Sequence, residues 1–192
     1  MLRIATWNVE RPKLSEATRR ARLLEVMQTM PADIWVLTET HTAFSPVPGF
    51  TSVRTQGVDR PGEPGETWVA IWSRFPMQPV AQTSDPCRAV AVRITPPDSR
   101  DLIVYGTVLP WLGSAWQGIP AVGGAAFSAA LDAQLADWLS MQQDNPGCDF
   151  ILAGDLNQDL GTSHYYGSRK NRIALQTALI TAKLQCLTAA AL

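Results

Sequence analysis

Nothing in this chain narrows the fold more than the stretch Cys148 to Asp159, C-D-F-I-L-A-G-D-L-N-Q-D. Its apolar run, Phe150 to Ala153, has the length of a strand and stops at Gly154. Asp155, Asn157 and Asp159 then occupy alternate positions. If the strand extends that far, alternation points all three side chains the same way. An apolar strand that delivers oxygen ligands at its C-terminal end is how open α/β sheets build sites. Asp, Asn and Gly are also ordinary turn residues, so the stretch taken alone reads equally well as a polar turn after a buried strand.

The remainder of the chain weighs on that choice. Leu2 to Trp7 reads as a short strand ending at Asn8, with Glu10 just beyond. A helix opens near Ser15 and Glu16, carries Leu23, Val26, Met27 and Met30 at helical spacing, and stops at Pro31. Ala32 to Leu37 is the next strand, ending at Glu39. Parallel strands joined by a crossover helix place these ends on one edge of a sheet, so Asn8 and Glu39 should be neighbours. Arg19, Arg20 and Arg22 are expected on a solvated helix face, and His41 in a solvent-facing loop.

Phe50 to Arg54, Thr67 to Ser73, Val80 to Gln82 and Ala89 to Ile94 are consecutive strand candidates with short connections, which predicts antiparallel pairing. Leu102 to Val108 then starts a second strand, helix, strand unit. Its helix, Ala125 to Gln143, has Phe127, Leu131, Leu135 and Trp138 on one face, and its second strand is Phe150 to Ala153. Between them lies a loop with Trp111 and Trp116, expected as core or loop anchors. Gly161 to Gly167 is a loop carrying His164. A helix follows over Arg169 to Lys183, with Ile173, Leu175, Leu179 and Ile180 as its apolar set. Leu184 to Leu187 has the pattern of one more strand.

At 192 residues the sequence suits one domain with a sizeable core, and 46% hydrophobic against 17% charged residues marks it as globular. The formal net charge of -1 is not the footprint of a protein that grips long nucleic acid by bulk electrostatics. Cys87, Cys148 and Cys186 are odd in number and form no C-x-x-C pair, so free thiols and a reducing compartment are expected. With no apolar leader and no spanning segment in the pattern, a cytoplasmic location without membrane association is expected.

Asn8, Glu39, Asp155 and Asn157 are all hard oxygen donors. Such donors suit Mg²⁺ or Mn²⁺, and two histidines and three scattered cysteines are too few for a zinc cage. A metal there can neutralise phosphate charge, and a nearby carboxylate can position or deprotonate water. G-x-S-x-G, G-x-x-x-x-G-K, H-E-x-x-H and a helix-opening G-x-G-x-x-G are all absent.

Four segments in order resemble the endonuclease/exonuclease/phosphatase superfamily, the DNase I-like fold. They are T-W-N-V at Thr6 to Val9, the strand ending in Glu39, V-A-I-W-S-R-F-P at Val69 to Pro76, and G-D-L-N at Gly154 to Asn157. The resemblance implies a four-layered α/β/β/α sandwich and hydrolysis of a phosphoester attacked in line by water. It implies that Glu39 binds the divalent metal with help from Asn8, and that Asp155 orients or activates the water. Asn157 would stabilise the transition state or hold that aspartate. The implied partner is a phosphoester substrate, nucleic acid among the options, and a monomer is expected.

Two departures accompany the resemblance. Thr107-Val108-Leu109 stands where the family often has T-H-L. The family's closing Asp-His pair has no counterpart, since nothing after Gly167 is Asp or His. His164 does not match that position, but as a loop histidine after G-D-L-N it is a further catalytic candidate. A member truncated at its C-terminus is therefore expected, and a non-catalytic domain that binds a phosphate-bearing ligand or partner is the alternative to a hydrolase.

Overall fold

A computed structural model describes residues 2–45, 47–163 and 165–189. The chain divides into two compact units, Met1–Val108 with Met141–Asp155, and Leu109–Ser140 with Leu156–Leu192.

The first unit holds two four-stranded sheets. In the first sheet, β1 (Ile4–Asn8) lies parallel to β2 (Ile34–His41), as a strand, helix, strand crossover requires. The crossover helix is α1 (Ala17–Thr29). β4 (Glu66–Ser73) pairs antiparallel with β2 on one side and β3 (Thr51–Arg54) on the other, giving the order β1-β2-β4-β3. The two inner strands, β2 and β4, are continuous apolar runs because both their faces are covered, and Ile34, Trp35, Leu37, Val69, Ile71 and Trp72 are all buried. α1 lays Met27, Leu23 and Leu24 over Trp35, Leu37 and Trp72. Val26 and Met30, counted in the apolar face from spacing, are exposed instead.

The second sheet has the order β5-β6-β7-β8: β5 (Met77–Pro79), β6 (Ala89–Ile94), β7 (Leu102–Val108) and β8 (Asp149–Asp155). The first three pair antiparallel, and β7 with β8 is parallel. The strand expected at Val80 to Gln82 is replaced by β5, a few residues earlier and paired with Val92 to Ile94. Pro79 fits there because β5 is an edge, where a missing N–H costs the ladder nothing. The two sheets lie face to face. Gly106 of β7 sits against Val36 of β2 and Val69 and Ile71 of β4.

In the second unit, most of α2 (Ala125–Asp144) buries Phe127, Leu131, Gln134 and Trp138 in a row, so Gln134 takes the place on that face that spacing gave to Leu135. α3 (Arg169–Thr181) is capped by Ser168, whose hydroxyl accepts from the N–H of Asn171 at 3.1 Å. Its buried face is Asn171, Leu175, Ala178 and Leu179, while Ile173 and Ile180 are exposed. Leu184 to Leu187 is not a strand; it follows α3 as irregular chain. Trp116 is buried and its backbone pairs with Ile119, which makes it a loop anchor.

Among the described residues no helix is long and apolar enough to cross a membrane. The three cysteines are free and half-buried.

Candidate active site

Asn8 is the last residue of β1, Asp155 the last of β8, and Glu39 lies within β2. β1 and β2 run parallel and β8 faces both, so the three side chains meet at one end of the first unit. The Asn8 amide Nδ2 donates to Glu39 Oε1 at 3.1 Å and reaches Asp155 Oδ2 at 3.4 Å. All three residues are half-buried. Asn8 Oδ1 faces the other way and accepts from the backbone N–H of Glu10 at 2.9 Å. The amide therefore turns its donor to the two carboxylates, which supply the anionic oxygens.

The strand ending predicted at Glu39 is found two residues later, at His41. Glu39 departs from strand geometry all the same, with φ +51°. The ladder pairs Thr38 with Val69 and Thr40 with Thr67 and skips it, and its carbonyl accepts from the N–H of Arg11. A left-handed non-glycine residue inside a strand costs of order 1–3 kcal/mol and gathers at functional sites. Here the residue that leaves strand geometry is the one that carries one of the two carboxylates.

Glu39 Oε2 is paired with the Arg11 guanidinium at 2.9 Å. Arg11 was missed by sequence reasoning. The available signal was a basic residue three positions after Asn8, in the loop that leaves the first strand. That loop is itself unusual, because Glu10 and Arg11 both have φ +52°. Arg19 holds it, donating to the carbonyls of Val9 at 3.0 Å and Glu10 at 3.2 Å and pairing with the Glu10 carboxylate at 3.0 Å. Arg19 is thus a strut between α1 and the loop, not a member of a solvated face. Arg20 likewise donates to the carbonyls of Lys13 and Leu14.

Asn157 and Asp159 do not continue the alternation of β8. The strand ends at Asp155 and Asn157 turns left-handed, φ +50°. Asn157 belongs to the second unit, where its Nδ2 donates to the carbonyl of Leu109 at 2.8 Å. Asp159 is buried and organises the following loop, accepting from the N–H groups of Gly161 and Tyr165 and the hydroxyl of Ser163 at 2.7–2.9 Å. His164 lies outside the described residues. His41, expected in solvent, is buried in β2; its Nδ1 accepts from Ala43 N–H at 2.9 Å and its Nε2 faces the Pro64 carbonyl at 3.1 Å. With Nδ1 accepting, Nε2 is the ring nitrogen that faces the carbonyl as a donor.

Among the described residues no group of three or more His, Cys, Asp and Glu is placed to hold a metal. Two carboxylates bridged by one amide nevertheless match the donor set Mg²⁺ takes, because that ion usually uses one or two carboxylates and fills its other positions with water and substrate oxygens.

Residues 5–188 match the Endonuclease/Exonuclease/phosphatase family. The chain belongs to that family. No curated protein matches the sequence. Solved structures place the family chain in the DNase I-like fold. It is similar to an AP endonuclease, LMAP, from Leishmania major at 17% identity and TM-score 0.65, over 92% of this chain and 65% of that one. It is similar to the endonuclease domain of TRAS1, a telomere-specific non-LTR retrotransposon, at 15% identity and TM-score 0.57, over 97% and 74%. An endonuclease/exonuclease/phosphatase protein from Beutenbergia cavernae gives 21% identity and TM-score 0.58, over 94% of this family member and 53% of its own length.

Proposed function

We propose that the chain hydrolyses a phosphoester with the help of Mg²⁺ or Mn²⁺, at the end of the first unit where β1, β2 and β8 converge. The observation that supports this most is the Asn8 amide within reach of both the Glu39 and Asp155 carboxylates, on three separate strands. Glu39 would hold the ion, with Asn8 bracing its carboxylate. A hard cation bound there neutralises phosphate charge and stabilises a leaving oxygen.

Asp155 is the base. It orients a water for in-line attack on phosphorus, opposite the leaving oxygen, and its carboxylate takes the proton released. Asn8 keeps this second carboxylate in place beside the first. The assignment of Asn157 to the transition state rests on the G-D-L-N motif alone, and that of His164 on its place in the sequence.

The substrate class follows from what the family and its similar structures share. Their descriptions include an AP endonuclease and a Bacteroides thetaiotaomicron mannosyl-6-phosphatase. The common chemistry is a phosphoester, and the net charge of -1 favours local recognition of one phosphate over a long duplex.

The test is hydrolysis of bis(p-nitrophenyl) phosphate with Mn²⁺. Asp155→Asn should lower kcat by about 10²–10⁴, the usual worth of a positioned base. Glu39→Gln should raise the Mn²⁺ concentration required, and chelation with EDTA should abolish turnover until Mn²⁺ is restored. Activity unchanged by both substitutions would sink the assignment. Inactivity of the parent chain and both variants alike would favour a non-catalytic family member that binds its ligand without turnover.

A further inference from the structure

We propose that Arg11 is a tethered cation: it holds Glu39 until a divalent ion displaces it, and the released guanidinium then binds the substrate phosphate. This rests on the function proposed above and adds a residue to it.

Arg11 is attached to Glu39 twice. Its guanidinium pairs with Oε2 at 2.9 Å, and its backbone N–H donates to the Glu39 carbonyl. The turn that carries it runs through two consecutive left-handed non-glycine residues, Glu10 and Arg11. It is pinned by the Asn8 amide oxygen and by Arg19. A partly exposed ion pair contributes little to stability, so the pair alone gives no reason for so constrained a turn. Aiming a cation at the carboxylate does give one.

Charge favours the exchange in both directions. Glu39, Asp155 and Arg11 together carry one net negative charge. A divalent ion on Glu39 makes that one net positive charge, and it also takes over the oxygen that Arg11 holds. The guanidinium is then repelled by the ion. One phosphodiester charge restores neutrality, and the planar guanidinium matches phosphate oxygens in bidentate fashion. The Arg11 side chain is 34% exposed against 19% for Glu39, so the arginine is the more solvent-accessible partner of the pair and can swing away from it.

The experiment is calorimetric titration with Mg²⁺ of the parent chain, Arg11→Gln and Arg11→Lys. It is followed by titration of each Mg²⁺-loaded protein with diethyl phosphate, read by ³¹P line broadening. Thermal melts confirm folding, and Arg11→Lys keeps the charge as a control. Arg11→Gln should bind Mg²⁺ about two- to fivefold more tightly, the worth of a partly exposed ion pair, while Arg11→Lys stays near the parent. Loaded Arg11→Gln should bind diethyl phosphate about tenfold more weakly, as loss of a charge-assisted hydrogen bond implies. Equal or weaker Mg²⁺ binding by Arg11→Gln would overturn the displacement, and unchanged phosphate binding would overturn the handover. If neither the parent nor Arg11→Gln binds Mg²⁺, the metal-dependent reading itself fails, a result distinct from either.

Discussion

Gly154 decides whether β8 can lie beside β7. Its φ is +136°, and a Cβ there would stand 2.0 Å from the carbonyl oxygen of Thr107, its register partner. No other residue type fits both constraints. Gly154→Ala should therefore destabilise the chain by at least ~3 kcal/mol, through strain and a backbone clash, and a chemical-denaturation midpoint would show it. Activity should fall with it, because the next residue is Asp155. A midpoint within experimental error of the parent would mean that β8 is not held in this register. Sequence exposed this residue's neighbourhood well. An apolar run broken by glycine marks a strand end whether a site or a turn follows, and the crossover between parallel strands placed Asn8 and Glu39 near each other. Arg11 escaped because its aim comes from two left-handed residues, a backbone state that neither Glu nor Arg advertises. At Asn157 the alternation that spacing suggested ends at φ +50°, a left-handed state that Asn adopts more readily than most residues.

Among elements, the legible ones are those whose neighbours agree with their local pattern. Both strand, helix, strand units were readable because short apolar runs of strand length flank a period-3.6 run, and parallel pairing then follows from connection length. β5 and the tail after α3 were not, since short strands exist only where a partner offers its edge. Val92 to Ile94 offers one to Met77 to Pro79, and among the described residues no strand pairs with Leu184 to Leu187. The β6–β7 hairpin has a titratable clasp: Asp101, just before β7, accepts from Arg93 of β6, with Nε at 2.8 Å. That hydrogen bond is the main reason the Asp101 carboxyl is held below its usual range, with burial opposing it and Thr95 adding to it. A carboxyl depressed in the folded state stabilises above its unfolded value, near ~3.9, and that contribution is lost as pH falls through the lowered value. Asp101→Asn should thus lower the melting temperature slightly at pH 6 and by less at a pH below ~3.9. A decrement that is the same at both pH values would show that the clasp acts by shape and not by charge.

On the scale of the whole first unit, the site depends on how closely two sheets can stack. β8 ends one sheet's order and faces both β1, the edge of the other, and its neighbour β2, which is why Asn8, Glu39 and Asp155 meet. The family resemblance implied two packed sheets, but periodicity by itself says which strands are buried and not which sheet covers them. At Gly106 the two sheets stack closely. A Cβ at this position of β7 would lie 2.8 Å from Val69 Cγ1, 3.2 Å from Val36 Cγ1 and 3.3 Å from Ile71 Cγ1, all on the opposite sheet. Those three side chains are β-branched, with few rotamers to retreat into, so the added methyl must be met by movement of the sheets. Gly106→Ala should cost about 1–3 kcal/mol as overpacking. It should also loosen the Asn8 contacts to Glu39 and Asp155, so the Mg²⁺ affinity proposed for that site should weaken along with stability. Val69→Ala removes the nearest methyl and by itself leaves a small cavity. Combined, the two changes should be more stable than the sum of their separate effects predicts, since each relieves the fault made by the other. Additive losses in denaturant titrations of the four proteins would mean that Gly106 does not set the spacing between the sheets.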